Sequence, residues 1–384
     1  MATPHSAKRQ RTTSPLAHQS RVLVLSHPNT HHHTGHTSSR DSSGEKPERT
    51  MAILTYLAKL YPVSHGLLQP PTPPQVVFDS NPPRAQLRDL WRVHDVEYIG
   101  RIIDQTPKCG GRSRHFSPGR AGVKTTFLSP GSTEAILRAA GAVTTAIDTV
   151  LASDSNITTA FCVVRPPGHH CGWSGVEPLD TDIDLAQGFC YVNNVMVGAA
   201  YAVHEYDTRV AILDFDVHHG NGTEGIMRRL LSTHPPEIPF PLLFISTHQY
   251  SPGFYPGTGS PHPSSSPYSR HIINIPLARG TSSAEFRKAL KEQALTALRD
   301  FAPTLILISA GFDSHAEDHV GDLDLVDEDF QWISMVCKRI QKKIVSVLEG
   351  GYLGDTSESC LVRSCAAHIK GLLDEGEDSS KVGS

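Results

Sequence analysis

Seven short stretches of the chain, RVLVLSH, ITTAFCVV, RVAILDF, PLLFIST, HIINIPL, TLILISA and KIVSVLE, are nearly continuous in apolar residues. A strand with one wet face alternates apolar with polar, so uninterrupted runs of this length are predicted to be strands covered on both faces. Helical patterns lie between several of them. Residues 129–152, SPGSTEAILRAAGAVTTAIDTVLA, offer Ser and Thr as caps, a Glu in the first turn and an apolar stripe at Ile136, Ala140, Val143 and Ile147. SAEFRKALKEQALTALRDF repeats the pattern. Strands alternating with helices specify an α/β fold, a mainly parallel sheet with helices on both faces joined by right-handed crossovers. In such folds the ligand binds beyond the carboxyl ends of the strands, so function is sought in the residues that follow each run.

Four of the runs end in groups that metal-assisted hydrolysis uses: RPPGHH, DVHHGNG, GFDSH and GGY. In LDFDVHH, Asp214, Asp216 and His218 alternate with Phe215 and Val217, so an extended backbone turns all three polar side chains to one side. Burying two carboxylates and an imidazole together costs several kcal/mol unless a cation or dense hydrogen bonding compensates. A divalent metal held by Asp216, His218 and Asp313 meets that requirement. Three nitrogen or oxygen ligands with an open fourth position form the catalytic pattern for zinc, and the chain has no CxxC pair for a structural site. Taken singly, each group has a plainer reading: an Asp at a strand end caps a helix, a lone His is a satisfied surface or core residue, and GGY is a tight turn. Four complementary strand ends together favour the metal site.

Composition narrows the class. With 384 residues and a formal charge of −4, the chain has no bulk basic surplus to bind nucleic acid or an anionic membrane. Seven cysteines without close pairing, and an N-terminus without an apolar signal core, predict free thiols in a reducing compartment. No run reaches the roughly 20 apolar residues of a membrane span. Residues 1–20 read as a disordered tail in which AKRQR is a weak import signal, residues 21–374 as one catalytic domain, and 375–384 as a disordered acidic tail. The cluster His31, His32, His33 and His36 reads as a solvated polar loop.

The motifs RPPGHH, GFCYVNN, LDFDVHHGNGT, STHQYSPGFYPGTG, SAGFDSH and LEGGY, in this order over about residues 21 to 370, resemble those of the zinc-dependent histone deacetylases, in particular the class II-like enzymes of fungi. The resemblance implies the arginase-deacetylase fold, an eight-stranded parallel sheet flanked by helices on both faces. It implies hydrolysis of the acetyl amide of N6-acetyl-lysine in histones or other proteins, with release of acetate. Residue by residue, it implies that Asp216, His218 and Asp313 bind one Zn2+ and that His169 and His170 hydrogen-bond the attacking water. Tyr352 polarises the carbonyl, with Gly350 and Gly351 allowing it to swing. Phe189 and Tyr255, with Gly188, wall a tunnel for the acyl-lysine, and a structural K+ takes main-chain oxygens of Asp214, Asp216 and His218 together with Ser246. By the same pattern Asp214 orients His169 while the partner of His170 falls at Asn221. A neutral amide leaves an imidazole less basic than a carboxylate does, which suits His170 as the general base. The implied partners are an acetylated lysine peptide or histone tail and a corepressor complex, without direct contact to nucleic acid or membrane, in the nucleus or cytoplasm.

Three segments depart from the family pattern. The stretch GWSGVEPLDTDIDLAQ places Glu177, Asp180, Asp182 and Asp184 where the tunnel rim is expected, either as a solvated loop or as a grip on a basic peptide. The segment GTGSPHPSSSPYSRHIINIP replaces a glycine-rich loop with Ser and Pro, and residues 108–124 form a basic, Gly-rich loop. Three rival functions share the fold. A two-manganese ureohydrolase needs a carboxylate two residues after Asp313, where this chain has His315. An acetylpolyamine deacylase keeps the chemistry and changes the substrate, and a silent corepressor scaffold conflicts with the presence of every ligand and of Tyr352.

Overall fold

The structure, a computed structural model, describes residues 20–34, 44–62, 75–116, 126–175, 188–352 and 358–374. The strands in chain order are β1 (Val22–Leu25), β2 (Val76–Asp79), β3 (Arg114–His115), β4 (Phe127–Leu128), β5 (Thr159–Cys162), β6 (Val210–Asp214), β7 (Leu242–Gln249), β8 (Ile272–Leu277), β9 (Leu305–Ala310) and β10 (Ile344–Leu348). Eight of them form one sheet in the order β2-β1-β5-β10-β9-β6-β7-β8, every neighbouring pair parallel, and β3 and β4 form a separate antiparallel pair.

All seven apolar runs are strands of this sheet, and their continuity has a visible cause. In β1, β5, β6, β7, β9 and β10 every residue is buried. Successive residues serve opposite faces: Leu23, Ile212, Leu307 and Val345 enter one core with the helices Ser132–Leu151 and Asn194–Tyr206. Val22, Ala211, Ile306 and Ile344 enter a second core with the helices Pro47–Leu60, Asp327–Ile340 and Cys360–Leu373. The eighth strand, β2, is a half-buried edge strand that the apolar runs do not reveal.

Two helix expectations need correction in detail. Ser132–Leu151 buries Ile136, Ala140, Val143 and Ile147 as its stripe predicts, but its N-cap is Gly131 at φ 104°, not a Ser or Thr side chain. The second helix starts with a capping box between Ser282 and Glu285, then breaks into a π turn at Leu290–Ala294 before Leu295–Phe301. The histidine cluster is solvated only in part: His32 is exposed and His31 half-buried, at the end of the 3-10 turn Pro28–His32. His33 is buried with its Nδ1 2.8 Å from Ser132 Oγ, and Thr30 is fully buried. His36, both tails, residues 117–125 and the acidic residues 177–184 lie outside the described residues, while Arg114–His115 of the basic loop pairs with Phe127–Leu128. All seven cysteines are free, and among the described residues no helix is long and apolar enough to cross a membrane.

Candidate active site

The polar groups meet beyond the carboxyl ends of the four central strands, β5, β10, β9 and β6. β6 delivers Asp214 as its last residue and then bends, so the extended backbone expected through His218 stops four residues earlier. The three side chains still converge, because each carboxylate folds back on the N–H two residues ahead: Asp216 N donates to Asp214 Oδ1 at 3.1 Å and His218 N to Asp216 Oδ1 at 2.9 Å. Beyond β9, Val217 N donates to Asp313 Oδ1 at 3.0 Å, which locks that loop to the first. One ligand atom each from Asp216, His218 and Asp313 lies within 4.8 Å of the others.

The chemistry of this trio fits a divalent cation. His218 Nδ1 stands 3.0 Å from Asp216 Oδ1 and 3.3 Å from Asp313 Oδ2, and Asp313 Oδ2 is buried without a hydrogen bond. Burial and the neighbouring Asp216 charge push the Asp313 carboxyl up. Burial disfavours the His218 imidazolium, yet Asp216 and Asp313 outweigh it and raise its pKa to about 9. Two buried carboxylates thus hold one proton-bearing imidazole between them, the arrangement a metal ion relieves.

His169 and His170 follow β5, their ring centroids 4.0 Å apart and their planes inclined at 45°. His169 Nδ1 is 3.0 Å from Asp214 Oδ2, and His170 Nδ1 is 2.7 Å from Asn221 Oδ1. An amide oxygen only accepts, so Nδ1 of His170 carries a proton and Nε2 keeps its lone pair. Burial opposes charge on both rings. For His169 the charges of Asp216 and Asp214 overcome it and raise the pKa well above the ordinary value, whereas for His170 burial, with the charge of His169, lowers it well below. The pair therefore splits into a more basic His169 and a less basic His170.

These groups line one cavity of about 170 Å³. Pro167, Phe189, Tyr255 and Val320 give it apolar walls; His169, His170, Asp216, His218 and Tyr352 give it polar groups, and Gly44, Gly188 and Gly350 complete the lining. Tyr255 meets the His170 ring edge-on at 4.9 Å, and Phe189 takes a left-handed φ of 66°. The glycines before Tyr352 answer to close approach. A Cβ on Gly350 would lie 2.2 Å from Asp313 Oδ2, and Gly351 sits at φ 102° with a Cβ position 2.9 Å from Phe312 Cβ. Ser246 is buried beside Asp214 in the β6–β7 register, with its Oγ 3.0 Å from His248 Nδ1.

Several residues that build the site were not singled out from the sequence. The fully buried Glu349 accepts from Gly168 N at 2.6 Å and His169 N at 3.1 Å, and burial raises its carboxyl to about 7. Phe254 stacks on His218 at 5.2 Å. Glu45 accepts from Arg165 Nε at 2.8 Å and Nη2 at 2.6 Å, while Arg49 donates to Gly351 O and Glu349 O, each at 2.6 Å. These partners lie far apart in sequence, so no local pattern announces them. Burial would raise the Glu45 carboxyl, but Arg165 overrides it and holds the pKa at about 2. Glu45→Gln is expected to cost about 3–5 kcal/mol, because it leaves buried guanidinium charge without its counterion. Thermal melts at pH 7 check this. The wild-type contribution is present at neutral pH and is lost as pH falls from about 4.3 through about 2, so the gap between the melts closes in acid.

Comparison with known proteins gives one consistent result. The family described as "Histone deacetylase domain" matches residues 43–368. Type-2 histone deacetylase 2 of Dictyostelium discoideum is 36% identical over 364 residues, covering 87% of this chain and 20% of that protein. Histone deacetylase 14, chloroplastic, of Arabidopsis thaliana is 31% identical over 315 residues, covering 79% of this chain and 67% of that protein. The chain thus spans about a fifth of the length of the first of these relatives. The crystal structure of the HDA15 HD domain superposes with a TM-score of 0.75 at 27% identity, covering 92% of this chain and 88% of that one.

Proposed function

The chain belongs to the histone deacetylase family and has its arginase-deacetylase fold, and from that premise we propose that it hydrolyses the acetyl amide of N6-acetyl-lysine in histones or other proteins, releasing acetate. The observation that carries the reading is a cavity in which apolar walls lead to His169, His170, Tyr352, Asp216 and His218, the last two grouped with Asp313 in the candidate metal trio. Asp216, His218 and Asp313 would hold one zinc ion, which when bound acts as a Lewis acid toward an amide carbonyl and acidifies water. The structural potassium ion belongs to the same proposal, with Ser246 beside Asp214 as its supporting geometry.

The residues divide the work. Phe189 and Tyr255 hold the methylenes of the acyl-lysine, and the polar end stops against the histidine pair. His170, the less basic of the pair, accepts the proton of the attacking water on Nε2 and returns it to the departing lysine amine, while His169, held by Asp214, stays close by as an electrostatic partner. Tyr352 donates its hydroxyl proton in a hydrogen bond to the carbonyl oxygen as that charge builds. The substrate is expected as an acetylated lysine peptide such as a histone tail, met in the nucleus or cytoplasm and within a corepressor complex.

Hydrolysis of an acetyl-lysine peptide compared with an acetylated polyamine tests the substrate. A kcat/KM at least tenfold higher for the peptide is expected, and the reverse order would move the site to small-molecule amides. Asn221→Asp tests the base. A carboxylate at this position raises the His170 pKa, so more of the base is protonated at a given pH. The acidic limb of the kcat/KM profile is therefore expected to move about 1–3 pH units upward. An unmoved limb would remove His170 from that role.

A further inference from the structure

The geometry points to Asp318 as a positioning residue that holds Tyr352 in the cavity wall. This rests on the reading of Tyr352 as the donor to the carbonyl oxygen. Asp318 lies in the loop after Asp313, is 7% exposed, and accepts two main-chain N–H bonds: from Tyr352 at 2.8 Å on Oδ2 and from Val320 at 2.9 Å on Oδ1. Tyr352 and Val320 both line the acyl cavity. One carboxylate therefore joins two parts of the cavity wall that are 32 residues apart in sequence.

The acceptor must be a carboxylate. Two N–H groups converge on it, and an amide in its place would turn an NH2 toward one of them. The stretch leading to Tyr352 needs such a hold, because Gly350 and Gly351 have no side chains with which to anchor it. Arg49 fixes the carbonyls of Glu349 and Gly351, and Asp318 fixes the next N–H, so the peptide preceding the tyrosine side chain is held from both sides. The loop is itself tied back toward the metal carboxylates, since Asp318 N donates to His315 O at 2.9 Å, two residues beyond Asp313. Burial and the Asp313 charge push the Asp318 carboxyl up to about 6, so it is ionised and a full acceptor at neutral pH.

If Asp318 acts through Tyr352, its loss must matter only while the tyrosine hydroxyl is present. Asp318→Asn, Tyr352→Phe and the double variant are compared on an acetyl-lysine peptide, with kcat and KM resolved separately and metal content and melting temperature measured for each. Asp318→Asn is expected to lower kcat about tenfold to a hundredfold, the scale of an ångström of misplacement, with KM changed less than threefold. Added to Tyr352→Phe it is expected to cost less than twofold more. A 3-fluorotyrosine at position 352, read by fluorine NMR with or without metal, is expected to give one resonance in the wild type and a shifted or second one in Asp318→Asn. Multiplying effects in the double variant, or an unmoved fluorine resonance, would overturn the assignment. If Asp318→Asn does not fold, Asp318→Glu takes its place with the same two readouts. A wild type inactive on the peptide would defeat the acyl-lysine reading alone, because the fluorine spectrum still decides whether Asp318 places the tyrosine.

Discussion

Tyr352→Phe is expected to lower kcat for acetyl-lysine hydrolysis by about 10²–10³-fold, equivalent to about 2.7–4 kcal/mol, which is the loss when one preorganised oxyanion donor is removed. The substitution isolates the hydroxyl. Tyr352 is 7% exposed, its ring lies 5.1 Å beneath the Arg49 guanidinium, and Phe retains both the packing and the cation–π contact. Burial, reinforced by the Asp313 charge, pushes the phenol well above its ordinary value, so it stays protonated and able to donate across the physiological range. Because the bond strengthens only as charge develops on the carbonyl oxygen, kcat should carry the loss and KM should stay within about threefold. The measurements are steady-state kinetics on the peptide and a thermal melt to show that folding is unchanged. A kcat within about threefold of wild type would mean that another group carries the oxyanion.

How much of this could be read beforehand depended on whether the cause was local. The interior strands were legible because burial on both faces leaves a continuous apolar trace, as in Ile212–Leu213 and Leu305–Ile308. The edge strand β2 left little trace, having one buried residue among four. The Asp216–His218–Asp313 trio was legible as residue types at strand ends, though for a partly mistaken reason. Alternation does not aim Asp216 and His218; two Asp side chains that bond the backbone two residues ahead do so after the strand has ended. The His170–Asn221 pair followed from the family motif, and its geometry agrees. What stayed hidden was long-range: His33 reaches Ser132 and the Tyr191 ring, Arg165 reaches Glu45, and Asp318 reaches Tyr352. In each case the partner lies far away in sequence, and the burial that gives the residue its role is supplied by another part of the chain.

With zinc held by Asp216, His218 and Asp313 as proposed, removing it is expected to abolish activity, and the protonation of the trio dictates how it returns. In the metal-free protein the two carboxylates hold His218 protonated, with a pKa of about 9, so the imidazolium serves as the internal counter-charge. A metal ligand must be neutral, so zinc has to displace that proton. Between pH 7 and about 9 the apparent affinity should therefore rise roughly tenfold per pH unit, and above the His218 pKa this dependence should level off. Stability follows the same linkage. An ion that binds only the folded chain stabilises it by about 4.1 kcal/mol at a thousandfold excess over its dissociation constant, so chelation should lower the melting temperature and zinc should restore it. The test strips the protein with a chelator, quantifies the metal directly, and titrates zinc back at several pH values while following both hydrolysis and the melt. Recovery of both signals with one equivalent of zinc, tighter at higher pH, is the expected result. Full activity in protein shown to be metal-free would eliminate Asp216, His218 and Asp313 as a catalytic metal site, and a pH-independent affinity would mean that His218 is not the group that yields its proton.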